Sequence, residues 1–390
     1  MKRYVIVGNG VAGTTAAENI RKMDPEGMII LLTDEGIPFY YRIRLNEFLS
    51  GDVTEARLIA KQESWFRKQK INLHLETKVV DVMSEDKIVL TAAGDKIPYD
   101  SLLIATGSHA FLPPIQGSDK KGLFSLRTFQ DAQNIVSWAK GIEEVVIIGG
   151  GLLGLEAGNG LRKLGKRITV VEFFPRLLPR QLDVEGARRL QAMMEKMDFS
   201  FRLGAKTQEI QGDGSVIGVQ LEGGETLPAE MVIVSAGVRP NMALADSAGL
   251  DRDKGIQVDD HLRTSQSDIY AAGDVAEYKG FPYGIWPAAM EQGKIAGINM
   301  VGGQTLYKGT TMANTLKVVG IDLASAGEVD AEDALESKIQ SGDDYYRKIV
   351  IKDNQIIGCI MLGDTKGFNG ITKMMAEKTD ISQLGEDLYS

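Results

Sequence analysis

Twice in this chain a short apolar run breaks at a cluster of glycines, and no other feature constrains the fold as strongly. Residues 3–7 are apolar and rich in β-branched side chains, which reads as a buried parallel strand. Gly8-Asn9-Gly10-Val11-Ala12-Gly13 follows, then a helical stretch from Thr14 to Met23. A second apolar strand, Met28 to Leu32, ends in Thr33-Asp34-Glu35, with Asp34 standing 21 positions after Gly13. Strand, glycine turn, helix, strand and acid in this order form a dinucleotide-binding fingerprint. Gly8 allows the tight turn, Gly10 lets the backbone approach a pyrophosphate, and Gly13 lets helix and strand pack closely. The helix N-terminus offers N–H groups and a positive dipole end to the phosphates. Asp34 or Glu35 accepts hydrogen bonds from a ribose.

The pattern recurs about 140 residues later. Val145 to Ile148 leads into Gly149-Gly150-Gly151-Leu152-Leu153-Gly154, then a helix through about Leu164 capped by Gly165. The next strand, Ile168 to Val171, ends in Glu172, 18 positions after Gly154. A carboxylate there favours a free ribose diol and repels a 2′-phosphate, so NADH is expected over NADPH, although Arg176 nearby pulls the other way. Two fingerprints suit a tightly held flavin with an exchangeable nicotinamide. One would suit a simple dehydrogenase.

Composition narrows the chemistry. At about 150 residues per domain, 390 residues make two or three domains. With 44 Lys plus Arg against 53 Asp plus Glu, the net charge of −9 argues against a nucleic-acid partner. A single cysteine, Cys359, allows no intrachain disulfide, Cys-x-x-Cys pair or thiolate cluster. His74, His109 and His261 are scattered, so no metal site is expected and redox chemistry falls to a bound organic cofactor. The longest uncharged apolar stretch, Val145 to Leu155, is far short of the roughly 18–20 residues a membrane span needs. Lys2-Arg3 before an apolar run imitates a signal peptide, but the run breaks at Gly8-Asn9-Gly10. A cytoplasmic protein without a membrane partner is expected.

Further segments resemble the FAD/NAD(P)-dependent pyridine nucleotide-disulfide oxidoreductases. Leu102-Leu103-Ile104-Ala105-Thr106-Gly107 is similar to the segment closing that family's first FAD section. Ile233 to Asn241, with Gly237, resembles the segment closing its NAD domain, and Ile269 to Val275, with Gly273 and Asp274, its third FAD motif. The resemblance covers residues 1 to about 300 in family order. It implies an α/β fold with two Rossmann-like dinucleotide-binding domains (the glutathione-reductase-like FAD/NAD(P) fold) plus a small α+β C-terminal domain. The expected boundaries are 1–112 and 243–308 for a discontinuous FAD-binding domain, 113–242 for the NAD-binding domain and 309–390 for the C-terminal domain, with Pro113-Pro114 marking the crossover.

Members that reduce disulfides carry cysteine on the helix after the first βαβ unit, but residues 39–51 here, Phe39 to Gly51, contain none. That segment, and Thr315 to Asp322, resemble instead the NADH:rubredoxin reductases and the flavin module of nitrite reductases. By this resemblance Arg42 touches the FAD, Asp274 meets its ribityl or pyrophosphate region, Val79 holds the adenine through its backbone and Arg127 meets the pyrophosphate. Trp286 offers its backbone N–H to the isoalloxazine edge. Many ferredoxin-type reductases pair a Lys near flavin N5 with the counterpart of Glu156; the aligned residue here is the acidic Glu47, so that pair is not expected. Glu156, placed in the first turn of the second fingerprint helix, is either a nicotinamide-positioning carboxylate or an acid favoured by the helix dipole.

The implied activity is FAD-dependent NADH oxidation with electrons passed to a small iron protein such as rubredoxin. The flavin component of a nitrite reductase system, an NADH oxidase using oxygen and an NADH-sensing flavoprotein scaffold remain open, as does homodimerisation. Other singled-out residues read as structural: Cys359 as a buried hydrophobe, His74 as a solvent-facing strand position, His109 as a hinge loop residue, and Met193-Met194 and Met374-Met375 as core. Arg176, Arg180, Arg188 and Arg189 read as a solvated face balanced by Asp183 and Glu185, with docking of an acidic carrier as the alternative.

Overall fold

A computed structural model of the chain describes residues 1–310 and 313–382. Residues 383–390 and 311–312 of the expected C-terminal domain lie outside the described residues. The chain forms two compact units: Met1–Arg42 with Thr54–His109 and Val238–Thr310, and Ile43–Val53 with Ala110–Gly237 and Thr311–Ser390.

The first unit is built on a five-stranded parallel sheet. Its strands run in the order Ile269–Ala271, Ser101–Ile104, Arg3–Val7, Met28–Leu32, Ile71–His74, so the first fingerprint strand is central. The helices Val11–Met23 and Trp286–Met300 cover one face and residues 79–89 and 244–248 the other, which is why the inner strands are continuous apolar runs, whereas the edge strand Ile71–His74 alternates. The fingerprint helix, Val11–Met23, starts three residues earlier than the sequence pattern suggested. It packs on the helix Trp286–Met300, where a Cβ on Gly293 would lie 2.2 Å from the Ala12 carbonyl oxygen and one on Gly297 2.6 Å from that of Ala16. Two small-residue faces thus bring the backbones together and fix the height of the glycine turn.

The second unit repeats the plan. Its parallel sheet runs Phe199–Leu203, Arg167–Glu172, Glu144–Ile148, Met231–Val234, Leu123–Phe124, again with the fingerprint strand central. Each unit also carries a three-stranded antiparallel meander: Val79–Met83, Ile88–Thr91 and Lys96–Pro98 in the first, Thr207–Gln211, Gly218–Leu221 and Thr226–Pro228 in the second. The sequence repeat read from the βαβ units therefore extends further than expected; strands of three to five residues carry too little alternation to show it. The turn between the last two strands of the second meander holds Gly223 and Gly224, both at positive φ.

The second unit also holds a five-stranded antiparallel sheet, ordered Ala313–Val318, Ile321–Gly327, Gln355–Leu362, Tyr346–Lys352, Glu336–Ser341, with the helix Phe368–Glu377. The strands Tyr346–Lys352 and Gln355–Leu362 meet in a two-residue hairpin turn at Asp353-Asn354, and both turn residues take positive φ (52° and 57°), the type I′ geometry whose twist matches the strands.

Candidate functional site

Both glycine turns have the same geometry. Gly8 (φ 114°) and Gly149 (φ 116°) stand where the strand ends, a region of φ that side chains avoid. A Cβ would lie 2.1 Å from the Ala105 carbonyl oxygen at Gly8 and 2.3 Å from that of Ser235 at Gly149. At Gly13 and Gly154 it would lie 1.9 Å and 2.2 Å from the carbonyl oxygens of Gly8 and Gly149. At Gly10 and Gly151, by contrast, no protein atom lies within 4 Å of a Cβ. These two residues cap the helices Val11–Met23 and Leu152–Lys163, neither of which has a side-chain cap or an acid in its first turn. Two other helices have both, Phe129–Trp138 capped by Thr128 and Val184–Glu195 capped by Asp183, whereas Trp286–Met300 and Phe368–Glu377 also lack both. Helix N-termini left without internal partners and open in front of their glycines fit a pyrophosphate. Val11, Ala12, Leu152 and Leu153 form the first turns of these helices.

In the first unit, Glu35 accepts a hydrogen bond from the Tyr40 hydroxyl at 2.6 Å and is paired with Arg42, while Asp34 is exposed. Asp274 also acts electrostatically on Arg42 and accepts the Ser108 hydroxyl at 2.8 Å. Gly273 donates its N–H to Gln292 Oε1 at 2.8 Å. Thr106 and Asn241 bond reciprocally, Thr106 Oγ1 to the Asn241 carbonyl at 3.1 Å and Asn241 Nδ2 to the Thr106 carbonyl at 2.7 Å, and the Gly107 carbonyl accepts the Asn241 N–H at 2.9 Å. Val79 opens the meander beside a register shift. Trp286 begins its helix and stacks on Phe39 at 5.9 Å between ring centroids. The structure thus brings Glu35, Arg42 and Asp274 together and adds Tyr40, Ser108, Gln292 and Asn241, which sequence reading did not single out. Nothing in the sequence marks Gln292, because its helix also carries Glu291, Lys294 and Asn299.

In the second unit, Glu172 is buried and rigidly held: Oε2 accepts the Gly150 N–H at 2.6 Å and Oε1 the Phe174 N–H at 2.8 Å. A carboxylate has about four acceptor positions, so two remain for a ribose diol. Gly8 and Gly149 donate to Leu32 and Val171 respectively, both at 2.8 Å, so Thr33 is the register counterpart of Glu172 and Asp34 and Glu35 lie beyond it. Gly237 (φ 99°) accepts the Phe111 N–H at 2.9 Å. The Arg127 N–H is taken by Asp131 Oδ2 at 3.0 Å, within the capping box that starts Phe129–Trp138.

Glu156 is the fifth residue of its helix, not a first-turn residue, so the helix-dipole account weakens. Its carboxylate accepts the Val319 N–H at 2.6 Å. Burial pushes its pKa up, the Glu47 charge adds to this, and the Val319 N–H and Lys163 oppose it. Glu47 does not stand as a bare charge: Arg44 grips it with two hydrogen bonds, of 2.9 Å and 2.6 Å.

Three structural readings change. His109 lies in a short strand, Ser108–Ala110, with Nδ1 2.7 Å from Asn241 Oδ1, rather than in a loop. Asp183 does not balance a solvated face: it is buried, caps its helix and meets Lys348 at 3.3 Å. Arg189 reaches the Gly342 carbonyl at 2.7 Å, whereas Arg188 stays exposed beside Glu185. Cys359 is fully buried, and His74 is exposed at the end of its strand. Among the described residues no helix is long and apolar enough to cross a membrane and no metal-ligating cluster occurs.

Residues 2–293 match the family described as pyridine nucleotide-disulphide oxidoreductase, and residues 313–379 match the rubredoxin NAD+ reductase C-terminal domain. The sequence is 37% identical over 389 residues to nitrite reductase (NAD(P)H) of Bacillus subtilis, covering 99% of this chain and 48% of that protein. It is 35% identical over 282 residues to rubredoxin-NAD(+) reductase of Pseudomonas putida, covering 72% of this chain and 73% of that one. The crystal structure of NADH:rubredoxin oxidoreductase from Clostridium acetobutylicum aligns with a TM-score of 0.85 at 27% identity, over 99% of this chain and 98% of that one. The chain spans about half the length of the curated relatives it matches first.

Proposed function

The chain belongs to the pyridine nucleotide-disulphide oxidoreductase family, and on that premise we propose that it is an FAD-dependent NADH oxidoreductase delivering electrons to a small iron protein, rubredoxin first. The observation that carries this reading is the pair of open, uncapped, glycine-headed helix N-termini in a chain whose residues 39–51 hold no sulfur. Bound FAD supplies an acceptor that takes two electrons and releases them singly, as coupling a hydride donor to an iron centre requires.

The chain's own residues bind and orient. Gly8, Gly10, Val11, Ala12 and Gly13 would receive the FAD pyrophosphate, with Asp34 or Glu35 on the ribose. Arg42, Thr106, Gly107, Gly273, Asp274 and Trp286 would hold the rest, Val79 the adenine and Arg127 a phosphate. Gly149, Gly151, Leu152, Leu153 and Gly154 would receive the pyrophosphate of NADH. Glu172, already aimed by two backbone N–H groups, would take its ribose and disfavour the 2′-phosphate of NADPH. Gly237 would flank that nucleotide, and Glu156 would position the nicotinamide. This reading keeps the division into an FAD-binding domain (1–112, 243–308), an NAD-binding domain (113–242) and a C-terminal domain (309–390), and a cytoplasmic setting.

NADH consumption by the FAD-loaded protein should be fast with rubredoxin and slow with a [2Fe–2S] ferredoxin or oxygen alone. Equal rates with all three would refute the assignment. A second reading, the flavin component of a nitrite reductase system, is favoured by the 37% identity to a nitrite reductase of which the chain spans 48%. It predicts NADH-driven nitrite reduction once the remaining component is added.

A further inference from the structure

The hydrogen bond to Glu156 comes from an unusual place. Val319 and Gly320 form the two-residue turn between strands Ala313–Val318 and Ile321–Gly327, whose closing pair is Val318 and Ile321. Both turn residues take positive φ (57° and 84°). A hairpin of this type asks for Asn, Asp or Gly at its first central position, and a β-branched residue there is a conformational outlier. Such outliers persist only where surrounding structure holds them, and they gather at functional sites. Burial and one hydrogen bond hold this one: Val319 is 4% exposed, and its N–H donates to the Glu156 carboxylate.

We propose that Val319 is a positioning residue for the hydride-transfer site: through its backbone N–H the C-terminal hairpin aims the Glu156 carboxylate. The proposal rests on the reading of Glu156 as the nicotinamide-side carboxylate. It gives the C-terminal sheet a part in the reaction. The charged groups acting on Glu156 are Glu47, from the short helix Leu45–Leu49, and Lys163, from its own helix. Glu47 is already paired with Arg44, and Lys163 with Asp52 at 2.7 Å. An N–H donor favours the ionised carboxylate, while burial and Glu47 favour the protonated one. Withdrawing the N–H therefore moves protonation of Glu156 to higher pH.

The test is the rate at which NADH bleaches the flavin in the full-length, FAD-loaded protein, mixed without oxygen across its range of pH stability. Two changes withdraw the N–H: Val319→Pro, and insertion of one glycine between Val318 and Val319, which covers the case that proline, unable to adopt positive φ, prevents folding. The acid limb of the rate should move to higher pH in both. Reduction on that limb should slow about tenfold for every pH unit the limb moves, while the plateau at high pH is retained. Val319→Gly, which keeps the N–H, should restore the original limb, and Glu156→Gln should abolish it. An unmoved limb in the insertion variant, with only a lower melting temperature, would make Val319 merely structural and overturn the proposal. A Glu156→Gln variant with the wild-type profile would instead overturn the reading of Glu156 itself.

Discussion

Gly8 and Gly10 look alike in a motif and differ in physics. A methyl group at Gly8 must displace the Ala105 carbonyl and hold φ at 114°, so Gly8→Ala should fail to fold or lose several kcal/mol, on the order of a severe overpacking change plus backbone strain. At Gly10 the space is open, so Gly10→Val should fold with a near-normal circular dichroism spectrum yet purify colourless and resist reconstitution with FAD. A yellow Gly10→Val protein would remove the first turn from the cofactor site. Glu172→Ala removes two charge-assisted hydrogen bonds from the Gly150 and Phe174 N–H groups and, on the proposed function, the contact with the ribose of NADH. At about 1.5–3 kcal/mol for such bonds, kcat/KM for NADH should fall by about 10- to 150-fold, with a smaller loss for NADPH. Equal losses for both nucleotides would end the selectivity role. The glycines and Glu172 were legible because spacing and residue type carry the whole signal. Ser108 and Asn241 were not, because their partners Asp274 and Thr106 lie far off in the chain and meet them only in space; Tyr40 lies near its partner Glu35, but no motif spacing marks the pair.

Among elements, the helix Val184–Glu195 and the C-terminal sheet are tied by a buried ionic cluster. Lys348, fully buried, meets Asp183 at 3.3 Å and Asp330 at 3.6 Å and is paired with the more exposed Asp333; the Tyr346 hydroxyl donates to Asp183 at 2.6 Å. Removing one member leaves carboxylates buried without a counter-charge, which typically costs about 3–5 kcal/mol. Lys348→Ala should lower the urea midpoint accordingly, and hydrogen exchange should show the helix and the sheet losing protection together. Loss confined to the sheet would mean that the cluster does not couple them. Nothing in the local sequence announced this cluster: Lys348 sits in a strand-like run and Asp183 in a charged one. The strands and both fingerprint helices were readable because their apolar periods are strong, whereas the short meanders and the strand at His109 were set by pairing partners, which a linear pattern does not reveal.

For the whole molecule, a family named for disulfide chemistry is represented here by a chain whose one cysteine, Cys359, is buried and stands outside residues 39–51. Burial pushes the Cys359 thiol up to about 12, so at neutral pH the thiolate is scarce as well as inaccessible. Native protein should therefore react negligibly with a thiol reagent and expose one thiol on unfolding, and NADH oxidation should survive the treatment. Inactivation in step with native labelling would bring sulfur back into the mechanism. The most direct test mixes the FAD-loaded protein with NADH in the absence of oxygen and follows the flavin colour, then adds oxidised rubredoxin. The account predicts rapid bleaching by NADH and return of the colour faster with rubredoxin than with an equal concentration of oxygen. A protein that binds no FAD, or one whose flavin NADH leaves oxidised, would contradict it.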